Sequence, residues 1–277
     1  MKQKTMALHN GLEMPRLGLG VFQVEEGQEL IDAIKFAIRQ GYRSIDTAAI
    51  YGNEAGVGQG IREALTESEL HREDLFITSK VWNADQGFES TLQAFETSLA
   101  KLGLAYLDLY LIHWPVAGKY KESWRALEKL YAEGRVKAIG VSNFQIHHLE
   151  DLMKDAVVKP MVNQVELHPM LSQTELREFA KQHDIRIEAW SPLMQGQLLD
   201  NPLLQEISAK HGKSVAQVII RWDLQHDIIT IPKSTNAHRI AENADVEDFE
   251  LTADEMARID ALNENRRIGP DPDNFNF

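Results

Sequence analysis

The chain has 277 residues, of which 43% are hydrophobic and none is cysteine, and its formal net charge is −13. This composition can bury a large core but excludes disulfides, thiolate nucleophiles and cysteine-held metals, and it fits a reducing cytoplasm. So acidic a chain repels nucleic acid and anionic membrane surfaces, and no apolar run approaches the roughly 20 residues of a membrane span.

The polar opening, Met1–Thr5, lacks the apolar core of a signal peptide. Met6–Leu17 reads as a hairpin around Asn10-Gly11 that caps a barrel floor. Short β-branched or aromatic runs then alternate with longer amphipathic stretches. The runs are Leu17–Val21, Tyr42–Thr47, Leu75–Val81, Tyr106–His113, Val136–Ser142, Met161–Glu166, Ile185–Ser191 and Ile228–Lys233. They recur at about 30 residues, the size of a βαβ unit. Leu30–Ile38, Leu92–Leu99, Trp124–Leu130, Leu176–Ala180 and Val215–Leu224 carry helical apolar stripes. Leu107-Asp108-Leu109-Tyr110-Leu111-Ile112 is almost continuously apolar, as a parallel strand covered by helices should be. The repeats predict a single (β/α)8 TIM barrel over residues 1–277, with an extra helix near Ala253–Leu262 and an irregular tail from Arg266. An open doubly wound sheet would more often show a Gly-rich dinucleotide turn after its first strand.

That fingerprint is missing. So are the phosphate loop, the nucleophile elbow and the H-E-x-x-H zinc motif. Gly56-Val57-Gly58-Gln59-Gly60 has the wrong spacing and reads as close helix packing. His147-His148 are adjacent and should point apart, so no metal site is expected. In a barrel the chemistry sits at the C-terminal strand ends. Three consecutive ends carry Asp46, Lys80 and His113, with Tyr51 in the loop after the first. Hydride addition to a carbonyl leaves an alkoxide that needs a proton. Tyr51 can supply it if the Lys80 ammonium, paired with Asp46, lowers the phenol's pKa, while neutral His113 orients the substrate oxygen.

Several long motifs resemble the aldo-keto reductases in order and spacing. They are Gly41-Tyr42-Arg43-Ser44-Ile45-Asp46-Thr47-Ala48, Ile77-Thr78-Ser79-Lys80-Val81-Trp82, Tyr106 to Pro115, Ile139-Gly140-Val141-Ser142-Asn143-Phe144, Asn163-Gln164-Val165-Glu166 and Ile231-Pro232-Lys233-Ser234. The resemblance implies reduction of aldehydes and ketones with NADPH, and Asp46, Tyr51, Lys80 and His113 as a catalytic tetrad. Glu188 to Gly196 and Gly269-Pro270-Asp271-Pro272-Asp273 look like the branch of 2,5-diketogluconate reductases, glyoxal or methylglyoxal reductases and a prostaglandin F synthase. Keto sugars, glyoxals and other 2-oxoaldehydes are therefore the expected substrates. The resemblance also allows a non-enzymatic barrel, as in channel β-subunits or lens crystallins, but that use does not require a complete tetrad.

Resemblance further implies that Trp190 stacks on the nicotinamide and that Ser142, Asn143 and Gln164 hold its carboxamide. Ser191, Leu193, Gln195 and Gly196 would line the pyrophosphate. Lys233, Ser234 and Arg239 would hold the 2′-phosphate at a helix start, with Glu242 and Asn243 at the adenine. Gly20, Val21, Asp46 and Ile231 complete the expected cofactor contacts. The substrate would meet Phe22, Tyr51, Trp82, His113 and Trp114, with Asn83 as a polar contact. Arg16, where relatives often carry an aromatic residue, lies before the first strand and away from this mouth. A monomer acting on a small carbonyl compound is the expected working form.

Overall fold

A computed structural model describes residues 4–277. The first three positions of the polar opening lie outside the described residues. Thr5–Ala7 (β1) and Glu13–Pro15 (β2) pair antiparallel, with Met6 opposite Met14. Asn10-Gly11 does mark the turn. Gly11 N–H donates to Leu8 O and Leu8 N–H to Leu12 O, both at 2.9 Å, and Gly11 takes φ +84°. Glycine thus fills the left-handed position that closes this longer hairpin loop.

Eight parallel strands form the barrel. They are β3 (Gly18–Gly20), β4 (Ser44–Asp46), β5 (Phe76–Val81), β6 (Leu107–Ile112), β7 (Val136–Ser142), β8 (Val162–Glu166), β9 (Arg186–Trp190) and β10 (Ile229–Thr230). Each is bonded to the next in chain order. The ring closes where Leu17 bridges Thr230 and Gly20 bridges Lys233. All eight runs expected to be strands are strands. Met6, Leu8 and Met14 of the hairpin pack with Phe76, Leu109, Val162 and Ile229. Phe76, Val162 and Ile229 each begin a strand. The hairpin therefore plugs the N-terminal end of the barrel and leaves the C-terminal end open.

The helices are α1 (Gln28–Arg39), α2 (Glu54–Thr66), α3 (Phe88–Leu102), α4 (Tyr120–Ala132), α5 (Ile146–Met153), α6 (Thr174–Gln182), α7 (Pro202–His211), α8 (Val215–Gln225), α9 (Ala237–Ala244) and α10 (Ala253–Asp260). The glycines of α2 serve packing: a Cβ on Gly58 would lie 2.1 Å from Leu102 O, and one on Gly60 3.0 Å from Ile34. Helix α7 was not anticipated, because its stripe is weak. Its end signals are strong, however. Asn201 accepts from Leu203 and Leu204 N–H, Pro202 opens the helix, and Gly212 closes it at φ +63°. Arg16 lies away from the open end. Its guanidinium donates to Leu224 O and faces Asp227 at 3.4 Å.

Candidate active site

Period-two alternation turns Asp46, Lys80 and Gln164 into the barrel interior near the open end. Lys80 is fully buried and Asp46 nearly so. Lys80 Nζ donates to Asp46 Oδ1 at 2.7 Å, to Thr47 O at 2.9 Å and to Tyr51 Oη at 3.4 Å. An unpaired buried ammonium would be costly, and these three acceptors remove that cost. Burial opposes the Lys80 charge, but Asp46 and Tyr51 outweigh it and raise its pKa.

The electrostatics correct one expectation. Tyr51 was expected to have its pKa lowered by Lys80. It is instead held above its ordinary value of 10: burial raises it most, Lys80 pulls it down, and Asp46 pushes it up again. The Lys80–Asp46 pair is close to neutral as a unit, so its field cannot overcome desolvation of the phenolate. Tyr51 is therefore an acid with its proton in place. Its ring meets Phe22 at 5.0 Å and His113 at 5.8 Å. Burial, followed by the Lys80 charge, keeps His113 well below 6.5. Its imidazole is neutral, as expected.

A cavity of about 870 Å³ opens over this cluster. Asp46, Tyr51 and His113 line it. Lys80 lies behind them and reaches it through Asp46 and Tyr51. Gly20, Ser142, Asn143, Gln164, Trp190, Ser191, Leu193, Gln195, Gly196, Ile231, Lys233, Ser234, Arg239, Glu242 and Asn243 line the same cavity, as do Phe22, Trp82 and Trp114. Ser142, Asn143, Gln164 and Trp190 form one network. Ser142 Oγ donates to Gln164 O (2.8 Å), Asn143 Nδ2 to His113 O (3.0 Å) and Ser142 Oγ (3.1 Å), and Trp190 Nε1 to Asn143 Oδ1 (2.9 Å). Asn143 holds φ +63°, a backbone cost that aims its amide into this network. At the far end, Lys233 and Arg239 are exposed and in no salt bridge among the described residues. They flank the start of α9, whose N-cap Asn236 accepts from Arg239 N–H.

Two expected contacts are not made by the side chains. Val21 is packed in the core and is not among the residues on the cavity wall. Asn83 is buried off the cavity wall, and its Nδ2 donates to the tail at Phe277 O (3.1 Å). Other wall residues were not foreseen. Ile50 and Leu199 add exposed apolar surface, and Ser214, Val215 and Ala216 bring the start of α8 to the cavity.

The tail itself is irregular, as expected, but well anchored. Buried Glu166 accepts from Ile268 N–H (2.7 Å) and Gly269 N–H (3.1 Å), with His168 Nε2 at 3.1 Å. Farther on, Phe275 meets Trp114 at 5.2 Å, and Phe277 stacks on Trp82 at 5.8 Å and 8°. His147 and His148 do not point apart. Their rings lie 3.9 Å apart, and their Nε2 atoms lie 3.1 and 3.7 Å from Asp273. Gln145 N–H donates to His148 Nδ1, so Nε2 of neutral His148 carries a hydrogen and offers a metal no lone pair. The cluster ties down the tail.

Gly269 is forced by this path. A Cβ there would lie 2.3 Å from Trp190 Cη2. Gly269→Ala should push the tail off Trp190, at a cost of about 1–3 kcal/mol for overpacking. A lower melting temperature together with weaker NADPH-induced quenching of tryptophan fluorescence would show it. Wild-type values for both would refute it.

Comparison with known proteins matches residues 16–264 to the aldo/keto reductase family model. The chain is 73% identical to the uncharacterized oxidoreductase YtbE of Bacillus subtilis (strain 168), covering 99% of this chain and 98% of that one. It is 65% identical to the glyoxal reductase of the same organism, again over 99% and 98%. Among solved structures, a Gox0644 mutant in complex with NADPH superposes with a TM-score of 0.94 at 45% identity, over the full length of both chains.

Proposed function

The chain belongs to the aldo/keto reductase family, and from that premise we propose that it reduces small 2-oxoaldehydes, glyoxal and methylglyoxal foremost, with Tyr51 as the proton donor. It is an NADPH-dependent oxidoreductase acting on aldehydes and ketones. The observation that carries the assignment of roles is Lys80 Nζ, which joins Asp46 and Tyr51 at the cavity floor.

The cavity's residues fit NADPH. Lys233 and Arg239, in no salt bridge among the described residues, suit the 2′-phosphate, and Trp190 and the Ser142–Asn143–Gln164 network suit the nicotinamide. When bound, the cofactor supplies the hydride. The rest is done by the chain. His113, neutral, donates a hydrogen bond to the carbonyl oxygen and orients it. Tyr51 passes its proton to that oxygen as charge develops there. Lys80 stabilises the phenolate left behind, and Asp46 holds Lys80 in place. Trp82, Trp114 and Phe277 exclude water and narrow the entrance. A small dicarbonyl suits that aromatic funnel better than a hydroxyl-rich keto sugar, which would leave polar groups unpaired. The 65% identical relative is itself a glyoxal reductase.

We further propose that residues 1–277 act as one domain and as a cytoplasmic monomer that binds neither nucleic acid nor membrane. The charge of −13 argues against nucleic acid and anionic membranes as partners. Among the described residues, no helix is long and apolar enough to cross a membrane. NADPH oxidation measured across glyoxal, methylglyoxal, an aromatic aldehyde and 2,5-diketogluconate should rank a 2-oxoaldehyde first in kcat/KM. A keto sugar in first place would refute the substrate assignment.

A further inference from the structure

Glu188 has no part in the chemistry described above, yet it sits inside it. It lies on β9 directly opposite Gln164 on β8 and is fully buried. Its Oε2 accepts from Gln164 Nε2 at 2.7 Å, while its Oε1 has no hydrogen-bond partner among the described residues. The same Nε2 donates to Asp46 Oδ2 at 2.8 Å. Asp46 holds Lys80 through its other oxygen, and Lys80 reaches Tyr51. One amide nitrogen thus straddles two carboxyl groups and spends both hydrogens on them.

This arrangement has a geometric consequence. Flipping the Gln164 amide would set its carbonyl oxygen against the ionised Asp46 Oδ2, which can only accept. The bridge therefore fixes which end of the amide meets the carboxyls and leaves Gln164 Oε1 to accept from elsewhere. We propose that Glu188 is a positioning residue for the reduction: through the shared amide of Gln164 and the Asp46–Lys80 pair, it orients Gln164 toward the cofactor's carboxamide and keeps the proton on Tyr51. This deepens the reductase reading and rests on it.

The second half of the proposal follows from charge. One ammonium, Lys80, serves two buried carboxyls, and both cannot be ionised cheaply beside each other. Burial and the Asp46 charge push Glu188 up to about 8. Below that pH Glu188 is neutral. Above it Glu188 is negative, and its charge raises both Tyr51 and Lys80. Its other strand neighbour, Ile229 on β10, brings no charge. Glu188 therefore becomes charged as pH climbs and delays loss of the Tyr51 proton.

Two variants separate the roles. Glu188→Gln keeps an acceptor for Gln164 but cannot become charged, whereas Glu188→Leu loses both properties. The alkaline limb of kcat/KM for carbonyl reduction should move to lower pH in Glu188→Gln, with NADPH Kd within about twofold of wild type. Glu188→Leu should show the same shift and bind NADPH about tenfold more weakly. A readout without turnover is ultraviolet titration of the Tyr51 phenol, isolated by subtracting the spectrum of the Tyr51→Phe variant. It should shift downward in Glu188→Gln as well. An alkaline limb and phenol titration that both coincide with wild type would overturn the proposal. If none of the carbonyl compounds supports NADPH oxidation by the wild type, the reductase reading fails instead, and the phenol titration still decides for or against the charge coupling.

Discussion

Tyr51→Phe should lower kcat for carbonyl reduction by about 10³-fold or more, while NADPH Kd stays within about twofold of wild type. The substitution removes one hydroxyl and little else. The ring keeps its contacts with Phe22 and His113. Lys80 keeps Asp46 Oδ1 and Thr47 O as acceptors, so no charge is stranded. Only the group that carries the proton is lost. Its pKa lies above 10, so the phenol is fully protonated across the neutral range and nothing else in the cluster replaces it. Neutral His113 has its pKa held well below 6.5 and cannot deliver a charged imidazolium's proton at that pH. Steady-state kinetics with methylglyoxal, together with a fluorescence titration of NADPH, would test this. A variant retaining more than about a tenth of wild-type kcat would remove Tyr51 from the role of proton donor.

Much of the barrel was legible because parallel strands buried on both faces must be apolar almost throughout, and β6 is the clearest case. The tetrad was legible for a related reason. Strand ends at one rim bring distant residues together, so Asp46, Lys80 and His113 could be grouped without knowing any distance. What could not be read was the balance of opposing effects. The sequence shows Lys80 near Tyr51, but not how far burial offsets it. Asn83 looked available to substrate because the path of the tail is not written in any periodicity. Val21 was expected at the cofactor from the family resemblance alone, and its burial in the core was not written in any motif.

Glu166 and Glu188 were missed although a signal existed. Trp190 faces the open mouth, and counting back two residues puts Glu188 on the same inward face. Gln164 and Glu166 share a face in the same way. A carboxylate in an inward position must find a partner. Glu166 finds the backbone of the tail and Glu188 finds Gln164. Applying that rule to every inward polar residue would have identified both.

The cofactor's phosphate end yields the other large effect. With a formal net charge of −13, the chain as a whole repels NADPH, so local cations must overcome that repulsion. Lys233 and Arg239 are placed to do so. Both line the cavity and both are exposed, and neither is committed to a carboxylate among the described residues. A guanidinium can grip a phosphate with two parallel N–H bonds, whereas an ammonium acts as a point charge. Arg239→Ala should therefore weaken NADPH binding more than Lys233→Ala does, by roughly tenfold to a hundredfold, as expected for hydrogen bonds to a charged partner. NADH lacks that phosphate and should bind either variant about as it binds wild type, so the preference for NADPH should narrow by the same factor. Because the two side chains are exposed, added salt should weaken NADPH binding to wild type more than to the variants. Kd values for both cofactors at low and high salt would test all three statements. Equal loss of NADPH and NADH affinity in Arg239→Ala would mean that Arg239 supports the fold of the site rather than reading the phosphate.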